Sequence, residues 1–260
     1  MAVSFFWQKA ILRLPASGGS GLGSGEPGDA VAADGSATRT GAATAAVSAR
    51  RGMSLPMLNR RSAIAGWAGL VADVLAERAR RVAEAQLEPL EKRLAHVRGV
   101  AAAAEWLVSP IDPFEADSLV AAAWLHDVGY APSLRATGFH PLDGAAFVQA
   151  EGFPPAVVSL VAYHTGAVFE ARERGLSDVL AEFAQPPDFL LDLLTCADMT
   201  TGPDGSPVRP EDRISEILSR YPAEDPVHRA IECSAPTLLA AAARVHTLAK
   251  QATSGAESAR

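Results

Sequence analysis

The sequence predicts an all-α protein. Alanine is abundant, while the β-branched and aromatic residues that favour pleated sheet are sparse, with aromatics at only 6%. Apolar residues recur at spacings of three and four, the period of a helix face. Proline, glycine and aspartate stand at the ends of these runs, where helices start and stop. With 260 residues, 48% of them hydrophobic, the chain can enclose one large helical core.

The elements follow in order. Residues 1–58 are predicted to be a disordered low-complexity extension. Within it, Gly18 to Gly52 is rich in Gly, Ala, Ser and Thr and cannot bury enough apolar surface to offset chain entropy. The opening VSFFWQKAILRL is apolar enough for a short helix, and Met53 or Met57 is a candidate natural start. A helical domain is expected over residues 59–250. Its first helix covers 62–84, with Ile64, Trp67, Leu70, Val71, Val74 and Leu75 on one face, and its second runs from Leu87 to Leu107. Ser109-Pro110 ends that helix, and Asp112-Pro113 caps a third that runs to Asp127 and stops at Gly129 and Pro132. His140-Pro141 opens a fourth helix and Pro154-Pro155 a fifth, ending by His164 and Gly166. A short helix near 176–183 follows, then one from Asp188 to Asp198. The loop GPDGSPVRPED precedes helices at 211–220 and 225–250, the latter split at Pro236. Residues 251–260 are expected to fray.

Composition excludes several classes. A net charge of −7 argues against stable, non-specific nucleic-acid binding. Two cysteines, Cys196 and Cys233, make neither a disulfide framework nor a thiolate zinc site, and they are consistent with a cytoplasmic location. No apolar run reaches the roughly 18–20 uncharged residues of a membrane span. Arg60-Arg61 before SAIAGWAGLVA has the outline of an export signal, but Asp73 and Glu77 interrupt it and an amphipathic helix is the better reading.

The chemistry is concentrated in His126-Asp127, at the end of the apolar run AAAWL. Two strongly polar groups there cost free energy unless they are hydrogen-bonded, ion-paired or metal-bound. His96, His140, His164 and Asp198 each lie in or at the end of another apolar segment. A single histidine on such a face is ordinarily a hydrogen-bonded core residue. Four, with two aspartates, make a donor set suited to Fe, Mn, Zn or Ni, with Mg at a carboxylate-rich position. Adjacent helical side chains diverge by about 100°, yet beyond a helix end both can reach one point. An aspartate there can bridge two ions about 3.5–4 Å apart, the spacing of two-metal phosphoester hydrolysis. GxSxG, GxxxxGK[ST] and strand-linked GxGxxG patterns are absent from the sequence.

HVRGVA, then LHDVGY, then Asp198 after an apolar helix resembles the H…HD…D signature of HD-domain metal-dependent phosphohydrolases. GFHPLDGA and VAYHTGA resemble the additional histidine motifs of the binuclear subgroup. The resemblance implies an HD-domain helical bundle with two divalent ions. His96, His126, Asp127 and Asp198 hold one, Asp127 bridges, and His140 and His164 hold the second. It implies hydrolysis of a phosphoester of a nucleotide or related small molecule by metal-activated hydroxide. Asp127, His164 and Arg98 are then the candidate catalytic residues, and Arg98 and Arg135 the candidate substrate contacts, since arginine suits bidentate phosphate recognition. The expected partner is a small phosphorylated substrate, with no membrane involved. The segment after His126-Asp127 lacks the longer motif of the cyclic-dinucleotide-cleaving branch. Two alternatives share the ligand set: a mixed-valent di-iron oxygenase and a non-catalytic metal-binding signalling domain. Asp143 is placed either behind a ligand histidine or as a helix-start charge. His228 and His246 are expected at the surface.

Overall fold

The computed structural model describes the backbone of residues 60–108 and 113–258 and the side chains of 74–108 and 115–251. The expected N-terminal extension, the alternative starts at Met53 and Met57, the Ser109-Pro110 stop, the Asp112 cap and the side chains of Ile64, Trp67, Leu70 and Val71 lie outside the described residues.

Ten helices appear among the described residues: α1 (Arg60–Leu87), α2 (Glu91–Leu107), α3 (Pro113–Leu125), α4 (His140–Ala150), α5 (Pro155–Tyr163), α6 (Ala167–Glu173), α7 (Ser177–Leu180), α8 (Asp188–Met199), α9 (Pro210–Arg220) and α10 (Pro226–Ser258). Single 3-10 turns join them at Val128–Tyr130, Pro132–Leu134 and His164–Gly166. No strand occurs among these residues beyond an isolated bridge between Thr201 and Pro207. The protein is all-α. None of the described helices is long and apolar enough to cross a membrane.

The run LVAAAWL in α3 is apolar on every side, and a helix with that pattern is stable only when enclosed. α3 packs against α1, α2, α5 and α8, and Leu119, Ala121, Ala122, Ala123 and Leu125 are fully buried. The three alanines let neighbouring helices approach closely. α1 meets α3 through Ala79, Ala83 and Leu87, spaced at four, while Val74, expected on that face, is exposed. A second apolar cluster of Met199, Ile214, Ile217, Ile231 and Leu238 ties the end of α8 to α9 and α10.

Two segments differ from expectation. Residues 167–180 carry two short helices, α6 and α7, where one was expected near 176–183. α10 is continuous across Pro236 and runs on to Ser258, through residues expected to fray. A mid-helix proline costs about 3 kcal/mol. Burial of Ile231, Leu238 and Val245 against α6, α8 and α9 outweighs it, at about 1.5–3 kcal/mol for each such side chain.

Close backbone contacts set the spacing of the elements. A Cβ on Gly129 would lie 2.1 Å from the carbonyl oxygen of His140 and 2.6 Å from the amide nitrogen of Gly144. The turn after His126-Asp127 therefore sits directly on the first turn of α4. A Cβ on Gly99 of α2 would lie 2.6 Å from the carbonyl oxygen of Gly205, so the loop after α8 rests on α2. Gly129→Ala should destabilise the protein by about 1–3 kcal/mol through overpacking, read as a lower urea midpoint. Wild-type stability would show that this contact does not hold the turn on α4.

Candidate metal centre

Five elements bring the polar residues to one point. His96 projects from α2. His126 and Asp127 follow the last residue of α3, where the helix gives way to the 128–130 turn. His140 is the first residue of α4, His164 follows α5, and Asp198 lies in the last turn of α8. His96, His126, Asp127, His164 and Asp198 are all buried.

Asp127 is the hub. Its Oδ2 lies 3.5 Å from Nε2 of His126 and 3.9 Å from Nε2 of His96. Its Oδ1 lies 3.4 Å from Nε2 of His140 and 3.9 Å from Nε2 of His164. Each carboxylate oxygen thus faces its own pair of imidazoles. Two candidate ligand triads result, His96-His126-Asp127 and Asp127-His140-His164, with donor atoms within 4.8 Å of one another in each. Asp198 adds an oxygen 3.0 Å from Nε2 of His96.

The ring orientations follow from the backbone. Nδ1–H of His126 donates to the carbonyl of Ala123 at 2.8 Å, and that of His164 to Val161 at 2.7 Å, each three residues back in its own helix. Nδ1–H of His96 donates to the carbonyl of Gly202 at 3.0 Å, in the loop seated on α2. A neutral imidazole that donates through Nδ1 presents a lone pair at Nε2, the form that binds metal. Burial favours that neutral form, holding His126 down at about 4 and His140 well below the usual imidazole range despite Asp127 alongside.

Nε2 of His126 has no hydrogen-bond partner among the described residues, although it is fully enclosed. A buried polar atom without a partner costs about 1–3 kcal/mol. Its position against Asp127 and the other imidazoles fits a divalent cation. The all-nitrogen-and-oxygen donor set fits Fe, Mn, Zn or Ni.

Burial would raise the Asp127 carboxyl, but Arg93 and the imidazoles outweigh it and hold the group well below the usual carboxylate range. Asp198 is lowered in the same way, burial being overcome by His96 when a proton sits on Nε2, the position that a metal ion would take in its place. Arg93, three residues before His96, donates from Nη1 to Asp127 Oδ2 at 2.6 Å. Its guanidinium lies 4.0 Å from the ring centroid of Tyr130, which stacks at 4.0 Å on His140. Guanidinium, phenol ring and imidazole therefore form one stack that fixes His140. Thr165 supports the other side: its hydroxyl donates to Asp198 Oδ2 at 2.5 Å. Its φ of 40° makes it the one non-glycine residue with positive φ among the described residues. A β-branched residue there is strained, and the hydrogen bond to Asp198 is what the strained conformation delivers.

All six expected ligands come together. Arg135 lies on the rim of a groove of about 1130 Å³ beside the cluster. Arg98 does not reach the site; it sits on an exposed face of α2 and pairs with Glu84 at 3.0 Å. Arg93, from the same helix, occupies the place beside Asp127. Arg93, Tyr130, Thr165 and Arg213 were not singled out from sequence. The position of Arg93 one helical turn before His96 was the available signal for it. Asp143 accepts from the backbone and hydroxyl of Thr137 and from the amide of Gly138, so it caps the loop before α4 and makes no hydrogen bond to a ligand histidine. His246 is buried in α10 rather than at the surface, and His228 is half-buried with Nδ1 on the carbonyl of Tyr221. Removal of only the Thr165 hydroxyl, in Thr165→Val, should lower metal affinity about 10- to 100-fold, as loss of an outer partner of a ligand does. Competition with a chromogenic chelator measures it, and an unchanged affinity would remove Thr165 from the site.

Comparison with known proteins supplies the family. The HD domain family matches residues 93–223, half of the chain, from one turn before His96 to just beyond α9. No curated protein and no solved structure matches the chain. All six converging residues fall within the matched stretch, and the protein belongs to the HD domain family.

Proposed function

We propose that this protein is a metal-dependent phosphohydrolase with a two-ion centre, acting on a phosphoester of a nucleotide or related small molecule. The observation that carries the proposal is the division of the Asp127 carboxylate, with one oxygen facing His96 and His126 and the other facing His140 and His164. In this reading His96, His126, Asp127 and Asp198 hold one ion, and Asp127, His140 and His164 hold the second. Divalent ions supply two things to such a reaction: charge neutralisation at the phosphoryl oxygens and a water acidified towards neutral pH. The functional domain is taken to span residues 59–250.

The chain's own residues do the rest. The carbonyls of Gly202, Ala123 and Val161 fix three imidazoles with Nε2 inward. Arg93 keeps Asp127 ionised and oriented, and the Thr165 hydroxyl orients Asp198. Tyr130 holds the ring plane of His140. A chamber of about 80 Å³ lies over the cluster. Arg135, on the groove rim, is placed to meet the part of the substrate outside the chamber.

Elemental analysis of purified protein should give two divalent ions per chain. Asp127→Ala should retain at most one and lose phosphoester hydrolysis by at least about 10³-fold, which corresponds to about 4 kcal/mol of transition-state stabilisation. Equal phosphate release by wild type and Asp127→Ala would overturn the hydrolase reading. Oxygen uptake by the iron-loaded protein without phosphate release would replace it with the oxygenase. Chelation should also lower the melting temperature, because a metal that binds only the folded state stabilises it by RT ln(1 + [L]/Kd).

A further inference from the structure

The inner face of α9 holds a buried arginine whose charge also acts on Asp198 of the centre. Arg213 is 95% buried, on the same helix face as Ile214 and Ile217. A guanidinium enclosed beside isoleucines is costly unless its donors are occupied. One is: Nη1 donates to Glu216 at 2.5 Å. Nε has no hydrogen-bond partner among the described residues. Glu216 is shared, because Arg220 also reaches it, with Nε at 2.8 Å. One carboxylate therefore serves two guanidiniums and leaves a net positive charge.

The position of this pair is specific. The chamber over the histidine–aspartate cluster and the larger groove beside it share five lining residues, and these include Arg93, Arg213 and Arg220. Arg93 is committed to Asp127, which leaves Arg213 and Arg220 at the passage between the two spaces. Asp198, which lines the chamber and feels the charge of Arg213, is itself engaged by His96 and Thr165. Glu170 in the chamber is bound by Arg174 at 2.7 Å, and Asp204 in the groove accepts from the backbone and hydroxyl of Ser206. A molecule that places one phosphoryl group at the cluster and extends into the groove must pass Arg213.

We propose that Arg213, braced by Glu216 and flanked by Arg220, binds a second anionic group of the substrate, so that the preferred phosphoester carries two phosphates rather than one. The inference rests on the hydrolase reading for the first phosphate, but the anion site itself does not. A phosphate oxygen at the guanidinium supplies the acceptor that Nε lacks, and the planar fork of arginine suits it better than a lysine would.

Isothermal titration calorimetry on the full, metal-loaded chain tests this with two non-hydrolysable probes. Methylenediphosphonate carries two anionic groups, and phenylphosphonate carries one. Wild type should bind the first at least about tenfold more tightly, the ratio that one charge-assisted contact of about 1.4 kcal/mol gives. Arg213→Met should reduce that preference to about threefold or less, and Arg220→Met should reduce it part of the way. Arg213→Lys should restore only part of it, and Arg244→Met, which loses a surface pair with Asp192, should keep it whole. Arg220 lies at the surface, so Arg220→Met decides the matter should Arg213→Met fail to fold. A folded Arg213→Met with the full preference, or a wild type with none, would overturn the proposal. Absence of phosphoester turnover would overturn the hydrolase reading alone, because the probes report binding whether or not the protein hydrolyses anything.

Discussion

A buried carboxylate surrounded by four imidazoles is the constraint on which this structure turns. Withdrawal of Asp127 from water costs several kcal/mol, and only close, well-aligned partners repay it. Arg93 and the imidazole edges provide them, and each must be delivered by a different part of the chain. The packing follows from that demand. The three alanines of α3 let α1, α2, α5 and α8 pack closely around the helix that ends at His126-Asp127. Gly129 lets α4 start against the turn, and Gly99 and Gly205 let the loop after α8 settle where its carbonyl can orient His96. The apolar core and the polar centre are two aspects of one packing problem.

Much of this was legible in the sequence where the signal was local. The helix pattern, the breaks at Gly129 and Pro154 and the six histidines and aspartates are properties of short windows, and the structure brings those six residues together. The failures have a common physical origin. Arg98 and Arg93 are both arginines beside His96, and only the direction of the α2 face, fixed by tertiary packing, sends Arg93 inward and Arg98 towards Glu84. Thr165 carries no sequence mark of its backbone strain, because the hydrogen bond that retains it comes from a residue 33 positions away. Pro236 reads as a helix break, but burial along α10 overrides its local cost. His246 reads as a surface residue, yet it is buried in α10.

The centre is also divided in how it meets the outside. On one side Tyr130 stacks between Arg93 and His140 and closes the cluster with flat surfaces. On the other, α9 presents charged groups among isoleucines and belongs to the second apolar cluster rather than the main core. The second cluster also takes in Met199, so α9 is packed against the end of the helix that carries Asp198.

The anchoring of the histidine rings has one more consequence. His126 and His164 donate to carbonyls three residues back in their own helices, so their orientation is encoded within a single turn of chain. His96 donates to Gly202, 106 residues away, in a loop that rests on α2 through a glycine–glycine contact. The ligand set thus has unequal cooperativity. An opening of the 201–208 loop alone frees the ring of His96 to turn while the other two remain aimed, since sub-global openings release only the contacts that cross them. In the proposed two-ion centre, such an opening would loosen the His96 and Asp198 side first.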